Sequence, residues 1–269
     1  MSNEKSSRLV QRQIYREGVF SSSTRMVPEE VAVAMSFGGT THAVMMATPD
    51  DLEDFAIGFA LTEGVIGKMT DIETINIVSV DGGFDAQVTL KEQSRAHFNA
   101  RRRHMAGPVG CGLCGIESIE QALRPVPQVD IANAKFSAAD ITGAMADLAA
   151  KQKLNRTTHA VHGAGFYLKG QGAVIVREDV GRHNALDKLA GALLRNTYAS
   201  NQGLVAVTSR LSVEMVQKSA LIGVPLLAAI SAPTMLAIET AEKAGLTLVA
   251  LVRGKEFDIY THPERVLPT

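Results

Sequence analysis

The stretch that decides the fold runs from Leu204 to Val252 and reads LVAVTSRLSVEMVQKSALIGVPLLAAISAPTMLAIETAEKAGLTLVALV. Short apolar runs alternate within it with segments of helical period. We predict strands at 204–208, 226–230 and 246–252, and helices at 213–222 and 234–244. Strands separated by helices of this length usually pair in parallel under covered sheet faces. The stretch therefore predicts an α/β domain.

The segments that precede this stretch extend the pattern towards the amino end. Two hairpins around paired glycines are predicted, 31–37 with 41–47 and 75–80 with 84–90. A helix is predicted to start near Leu52, with Thr48 as its N-cap, Pro49 in its first turn and Gly64 as its stop. The remaining predicted elements are strands at 160–168 and 173–176 and helices at 141–149 and 184–194.

Changes in composition along the chain divide it into three parts. Residues 1–25 are polar and lack a clear period, which predicts a mobile lead-in with at most a short edge strand. Residues 26–124 form a predicted α+β region that ends in a glycine-rich loop at 91–115. A linker near residue 125 then leads into the predicted α/β cofactor-binding domain, 125–269.

The overall composition is that of an ordinary globular protein. The chain has 269 residues, 46% of them hydrophobic and 20% charged, with a net charge of −1. These values exclude disorder and a bulk nucleic-acid-binding character. No segment reaches the roughly 18 apolar residues of a membrane span, so we expect a cytoplasmic protein without membrane or nucleic-acid partners.

The cysteines Cys111 and Cys114 lie in the predicted loop as Gly-Cys-Gly-Leu-Cys-Gly. Their spacing permits a dithiol–disulfide couple or half of a zinc site. It equally permits a sulfur-carrying persulfide on Cys111, or two inert small side chains. The arginines 101–103 would lower a thiol pKa and attract an anionic partner, unless they are a plain solvated charge run.

A second cluster follows three predicted strands. It contains Arg182 and His183 after the first strand, Ser209 and Arg210 after the second, and residues 231–234 after the third. Ligands bind beyond the carboxyl ends of strands in open α/β sheets, and helix N-termini there favour anions. A phosphate-bearing ligand would fit, although helix caps and one internal Arg–Asp pair would explain the same residues.

A third feature lies near the carboxyl end, and it comprises Phe257, Asp258, Ile259, Tyr260, Thr261 and His262. Its aromatic rings, hydroxyl and imidazole could stack on and bond a base or a pterin. A terminal edge strand is the alternative interpretation.

Several of these stretches, taken in order, resemble the formate dehydrogenase accessory sulfurtransferase (FdhD) family. They are DLEDFAIGFALTEG at 51–64, CGLCG at 111–115, REDVGRHNALDK at 177–188, Ser209-Arg210 with EMVQK at 214–218, Ser-Ala-Pro at 231–233, and FDIYTH at 257–262. The family has Ser-Gly-Arg where this chain has Thr208-Ser209-Arg210, so only the local backbone there departs from the pattern.

The resemblance implies a cytidine-deaminase-like three-layer α/β fold with a mixed sheet, usually a homodimer. It implies a sulfurtransferase that takes sulfur from a cysteine desulfurase and delivers it to bis-molybdopterin guanine dinucleotide for the formate dehydrogenase apo-enzyme. Cys111 would hold the persulfide and Cys114 would assist or resolve it. Residues 257–262, with Arg182, His183 and Arg210, would contact the cofactor, and guanine nucleotide would mimic it. No resident metal is expected, because the deaminase zinc motif is missing.

Two other functions remain open from the residues alone. One is a CxxC thiol–disulfide oxidoreductase, and the other is a non-catalytic cofactor-binding chaperone. A sulfur adduct on Cys111 would favour the transferase, and a redox couple between the two cysteines would favour the oxidoreductase.

Overall fold

The computed structural model describes residues 6–96, 98, 125–129 and 134–268. Its largest sheet has six strands, in chain order β8 (His162–Leu168), β9 (Gly172–Asp179), β10 (Gly203–Val207), β11 (Leu226–Ala229), β12 (Thr247–Arg253) and β13 (Glu256–Ile259). Across the sheet these strands are ordered β13-β12-β11-β10-β8-β9. The central strands β10, β11 and β12 run parallel, whereas β8, β9 and β13 are antiparallel to their neighbours. The sheet is therefore mixed, as the resemblance implies.

Helices cover both faces of this sheet. On one face lies α2 (Ala138–Lys151), followed in the chain by the short α3 (Lys153–Thr158). On the other face lie α4 (Arg182–Arg195), α5 (Val213–Ile222) and α6 (Met235–Ala244). Ile141 and Leu148 of α2 pack against Leu204 and Leu226, which fills the core on the first face. The predicted three-layer α/β arrangement is confirmed.

The amino-terminal region forms a second pair of layers, which consists of one sheet and one helix. Its sheet consists of β3 (Val31–Phe37), β4 (Thr40–Ala47), β5 (Ile72–Val80) and β6 (Gly83–Leu90). Across this sheet the order is β4-β3-β6-β5. One helix, α1 (Leu52–Thr62), lies on this sheet and shares its apolar core. Both predicted hairpins are present, and the structure adds a parallel pairing between β3 and β6.

The two regions meet where α1 crosses α4. A Cβ atom built at Gly58 would lie 1.6 Å from the Asp187 carbonyl oxygen, and one at Gly191 would lie 1.9 Å from that of Asp54. The helices therefore touch backbone to backbone, which only glycine allows at these positions. The two regions on either side of the predicted boundary near residue 125 are therefore in tight contact through α1 and α4.

Three local predictions need correction. The predicted mobile lead-in instead contains a two-stranded ribbon, β1 (Ser7–Arg16) with β2 (Val19–Pro28), whose serine-rich alternation hides the strand period. Thr48 is not the cap of α1, which begins after Asp51. The Thr48 backbone N–H instead donates to Asp179 at the end of β9, and its hydroxyl accepts from the Val180 N–H. Residues 92–96, inside the predicted loop 91–115, are helical.

The last described strand, β14 (Val266–Leu267), pairs in parallel with β7 (Phe136–Ser137) directly before α2. Among the described helices, none has the length and apolar character needed to cross a membrane.

Candidate functional site

The site lies beyond the carboxyl ends of β9 and β10. His162 at the start of β8 pairs with Asp179 at the end of β9, and Ala164 pairs with Val207 of β10. The Gly163 N–H donates to the Thr208 hydroxyl over 2.9 Å, so these strand ends meet at one edge. Because α4 and α5 start at this edge, the structure brings the segment with Arg182 and His183 next to the segment with Ser209 and Arg210, as the sequence predicts.

Asp179 is fully buried there and locks the two regions together. Its carboxylate lies 2.7 Å from Lys188 Nζ and accepts a 3.0 Å bond from the Thr48 N–H. Lys188 in turn donates to the Thr48 carbonyl oxygen over 2.9 Å. A buried carboxylate needs this paired and bonded environment to remain charged. Asp179 and Lys188 are therefore structural.

Asn184 belongs to the same buried network of hydrogen bonds. Its amide donates to Asp179 Oδ1 over 2.9 Å and to the Met46 carbonyl oxygen over 2.8 Å. The N-cap of α4 is Gly181, without a side-chain bond, so Asn184 is not a helix cap. Asp179, Asn184 and Lys188 of the 177–188 motif thus hold the end of the hairpin β3–β4 against α4.

Arg177 makes the internal Arg–Asp pair that the sequence suggested as an alternative. Its Nη2 lies 2.6 Å from Asp54 Oδ2, and Asp54 is 1% exposed. Arg195 of α4 lies 2.9 Å from the other oxygen of the same carboxylate. The acidic character of α1 is thereby neutralised on the side that faces α4.

A second buried charge cluster joins α1, α4 and α5. Lys218 Nζ lies 2.9 and 3.0 Å from the two oxygens of Asp187 and 2.9 Å from the Thr62 hydroxyl. Glu63 lies at its rim, 3.3 Å from the same nitrogen. Burial acts to lower the pKa of Lys218, but the Asp187 and Glu63 carboxylates outweigh it and raise that pKa. Lys218 is therefore charged and anchors α5.

His183 stands above this cluster, in the first turn of α4. Its Nε2 lies 3.0 Å from Glu214 Oε2 of α5. Burial lowers the pKa of His183, Arg182 and Lys218 lower it further, and Glu214 opposes them. The pKa of His162 is lowered by burial and by Arg182. The edge therefore holds two imidazoles that are neutral near pH 7.

Arg182 and Arg210 supply positive charge at the same edge. The Arg182 Nε atom is buried and has no hydrogen-bond partner within the described residues. Arg210 is exposed, whereas Ser209 beside it is buried and donates to the Arg210 carbonyl oxygen over 3.0 Å. In the described part of the chain, neither guanidinium forms an ion pair, so both can attract an anionic ligand.

The structure separates residues 257–262 from this edge. Phe257, Asp258 and Ile259 lie on β13, the outer strand opposite β9, as the edge-strand interpretation predicts for these three residues. Asp258, Ile259 and Tyr260 are exposed. The Thr261 hydroxyl is buried and donates to the Leu246 carbonyl oxygen over 2.6 Å, which places it at the amino end of β12. His262 lies nearby, with Nε2 3.2 Å from the Glu242 carbonyl oxygen.

Cys111, Cys114 and the arginines 101–103 lie outside the described residues, and so do residues 116–123, whose apolar spacing predicts a short helix after the cysteines. Across the residues that are described, no three His, Cys, Asp or Glu side chains converge as metal ligands. The four interpretations of the cysteine pair therefore stay predictions.

The sequence did not single out His162, Asp187 or Lys218 as site residues. The sequence does carry a signal for Asp187 and Lys218, since each is a charged residue in an otherwise apolar stripe of a helix. Charged residues are buried in such a stripe only when they are paired. The partner of each lies on another helix, which spacing along the chain does not show.

The comparisons with known proteins agree with this architecture. The family model described as FdhD/NarQ family matches residues 28–267. A curated protein of Agrobacterium fabrum named sulfur carrier protein FdhD is 58% identical over 267 residues, covering 99% of this chain and 98% of that protein. A protein of the same name from Brucella abortus is 58% identical and covers 99% of both chains.

A solved structure supports the same relationship. It comes from Desulfotalea psychrophila, and its name refers to a formate dehydrogenase accessory protein. It superposes with a TM-score of 0.77 at 27% identity, covering 98% of this chain and 100% of that one. Sequence and fold lead to the same conclusion, and the chain belongs to the FdhD/NarQ family.

Proposed function

We propose that this protein carries sulfur from a cysteine desulfurase, as a persulfide on Cys111, to the molybdenum cofactor required by a formate dehydrogenase. The observation that carries the proposal is the cysteine count. The chain has two cysteines in 269 residues, Cys111 and Cys114, and its close relatives are named sulfur carrier proteins. A sulfur atom carried on a thiol of this chain therefore has to reside on one of these two residues.

The loading step is a thiol exchange without net redox change. The Cys111 thiolate attacks the outer sulfur of the donor persulfide. The donor S–S bond breaks, a new S–S bond forms on Cys111, and the donor cysteine leaves as a thiolate. The carried sulfur keeps its oxidation level.

Unloading as sulfide needs two electrons, and Cys114 is positioned in sequence to supply them. Its thiol attacks the Cys111 sulfur, forming a Cys111–Cys114 disulfide and releasing the outer sulfur as hydrosulfide. A dithiol reductant of the cell then restores both thiols. In this route Cys114 is needed for release and not for loading.

The acceptor is proposed to be bis-molybdopterin guanine dinucleotide, bound as substrate. Two guanidinium groups without ion pairs within the described residues, Arg182 and Arg210, lie beside the first turns of α4 and α5, where phosphates are favoured. The exposed residues of β13 lie across the sheet, roughly 24 Å from β9, which precedes Arg182, and roughly 14 Å from β10, which precedes Arg210, at about 4.8 Å per strand spacing. A long substrate with two nucleotide ends suits such separated contacts better than a compact ligand does.

Intact-mass measurement tests the proposal. Incubation with a cysteine desulfurase and L-cysteine should add the mass of one sulfur atom to the chain. The Cys111→Ala variant should show no adduct, and Cys114→Ala should load and then retain it. An unloaded wild-type chain would contradict sulfur carriage and favour the chaperone, while a Cys111–Cys114 redox couple without an adduct would favour the oxidoreductase.

Thermal shift with guanosine diphosphate tests the acceptor site separately. The nucleotide should raise the midpoint of unfolding of the wild-type chain, and Arg182→Gln should reduce that shift. Lys153→Gln, on the exposed side of α3, serves as a matched loss of positive charge and should leave the shift intact.

A further inference from the structure

Phe98 is the last described residue before the part of the chain that contains Cys111 and Cys114. It is 6% exposed and belongs to the apolar core of the amino-terminal region. The centre of its ring lies 5.4 Å from that of Phe37 and 5.6 Å from that of the His42 imidazole. Ring pairs at these distances stabilise a contact beyond the area that they bury.

The ring contacts continue onto α1 and towards the site edge. Phe59 of α1 lies 6.1 Å from His42, ring centre to ring centre. The Nζ atom of Lys218 on α5 lies 5.9 Å from the centre of the Phe59 ring. Lys218 follows Glu214, which lies at the site edge, by about one helical turn. Through His42 and Phe59, Phe98 is therefore connected to α5, whose first turn forms part of that edge.

Asp71 fixes the chain that leads to Phe98. Its carbonyl oxygen accepts a 2.9 Å bond from the Lys91 N–H. Its carboxylate accepts bonds of 2.8 and 3.1 Å from the two N–H groups at 67–68. Burial acts to raise the pKa of Asp71, but the bonds from 67–68 and from the Ser94 hydroxyl outweigh it and lower that pKa. The chain is therefore held at Lys91, at Ser94 and again at Phe98.

The next described residues, 125–129, are fixed on the last turn of α6. The Lys243 carbonyl oxygen accepts a hydrogen bond from Gln128 Nε2. The Ala244 carbonyl oxygen accepts one from the Val129 N–H over 2.9 Å, and Val129 is 6% exposed in the core of the α/β domain. The last carbonyl groups of a helix have no partner within it, so this helix end provides a second anchor.

Cys111 lies near the middle of the chain between these two anchors, 13 residues after Phe98 and 14 before residue 125. Because an extended chain spans at most about 3.6 Å per residue, Cys111 stays within about 47 Å of Phe98. Without the contacts of Phe98, the nearest fixed backbone group would be the Lys91 N–H, 20 residues before Cys111. The local concentration of a tethered group falls roughly as the −3/2 power of the tether length, which is about twofold for 20 residues in place of 13.

We propose that Phe98 is a positioning residue for sulfur transfer, because its contacts with Phe37 and His42 hold the chain of Cys111 beside the edge formed by the first turns of α4 and α5. This inference rests on the proposed function. Phe98 acts on the carried sulfur only through the position of Cys111, and it shortens the distance over which Cys111 brings that sulfur to the acceptor.

Trypsin cleavage after Arg95 tests the anchor without any sulfur chemistry. On the full chain, Phe98→Ala should make the fragment 1–95 appear about tenfold faster or more, since the chain around Arg95 opens locally once it loses its anchor. Phe84→Ala removes the same ring from the same core on β6, and it should change this rate by less than about twofold. His42→Ala, at an exposed position, leaves the core filled and should increase the rate about threefold or more. A rate in Phe98→Ala or His42→Ala equal to that of Phe84→Ala would overturn the proposal.

Delivery of sulfur by loaded chains tests the positioning role. By intact mass, Phe98→Ala should load from the desulfurase at the wild-type rate, because the donor approaches from solution. Per loaded chain, it should activate formate dehydrogenase supplied with molybdenum cofactor about twofold more slowly. Phe98→Leu, which keeps an apolar side chain among the rings, should restore this rate, and Phe84→Ala should not change it. Normal loading with undiminished delivery by Phe98→Ala would overturn this inference alone, whereas a wild type that does not load would overturn the proposed function.

Discussion

Asp179 and Lys188 are both fully buried, and the pair joins the end of β9 to α4 and, through Thr48, to the first hairpin. The geometry satisfies each charge with more than one partner, so the pair is stable as long as both members are present. Removing one member leaves the other charge buried and uncompensated, which is much more costly than the loss of an exposed ion pair.

Lys188→Met tests this pair. The variant should lose about 3–5 kcal/mol of unfolding free energy, measured by urea denaturation, because the Asp179 carboxylate is left without its cation. Lys153→Met, at an exposed position of α3, should change it by less than about 0.5 kcal/mol. Similar losses in the two variants would contradict the structural role of the pair.

The histidines at the site make stability depend on pH. Burial lowers the pKa of His162 and of His183 in the folded chain. The unfolded chain therefore takes up protons first, near the usual histidine pKa of about 6.5, and stability should fall as the pH drops from 7 through that value. His162→Asn and His183→Asn should each flatten this dependence of the urea midpoint.

At the residue scale, the sequence predicted that Arg182, His183, Ser209 and Arg210 share one edge, because strand ends and helix starts identify that edge in an α/β sheet. It did not predict that Asp187 meets Lys218, since the two lie on different helices and their approach depends on how α4 packs against α5. It also joined residues 257–262 to the same site, whereas the structure places Thr261 and His262 at the other end of the strands.

At the element scale, the contact between α1 and α4 depends on glycine. Gly58→Ala should cost more than about 4 kcal/mol or prevent folding, because its methyl group would overlap the Asp187 carbonyl oxygen. In α2, a Cβ at Gly143 would lie 3.7 Å from the Tyr167 hydroxyl, an ordinary contact. Gly143→Ala should therefore raise the unfolding free energy by about 0.5–1 kcal/mol, which thermal unfolding would show as a higher midpoint. A tolerated Gly58→Ala would show that the helices separate more easily than this geometry allows.

Most helices and strands could be predicted within two or three residues, since apolar period, glycine stops and turn residues are local signals. The helix α5 was predicted with the bounds that the structure shows, Val213–Ile222. The start of α1 was misplaced because Thr48 has the chemistry of a cap but is used in a contact with Asp179, distant in sequence. The ribbon was missed because four serines and several arginines mask its alternation.

At the scale of the whole molecule, two apolar cores are joined by buried charges rather than by a loose linker. Asp179–Lys188 and Asp187–Lys218 both lie at the junction of α1 and α4 with their neighbours. We expect a single cooperative thermal transition, with equal calorimetric and van't Hoff enthalpies. Two separate transitions would show that the regions on either side of residue 125 unfold independently.

The pairing of β14 with β7 has a consequence for how the chain is made. Val266 and Leu267 complete the small sheet from which α2 starts, although they follow every other described strand in the chain. A ribosome shields the segment it has just synthesised, so this pairing can form only after Leu267 has left the ribosome. The small sheet at the start of α2 therefore forms after every other described strand has been synthesised.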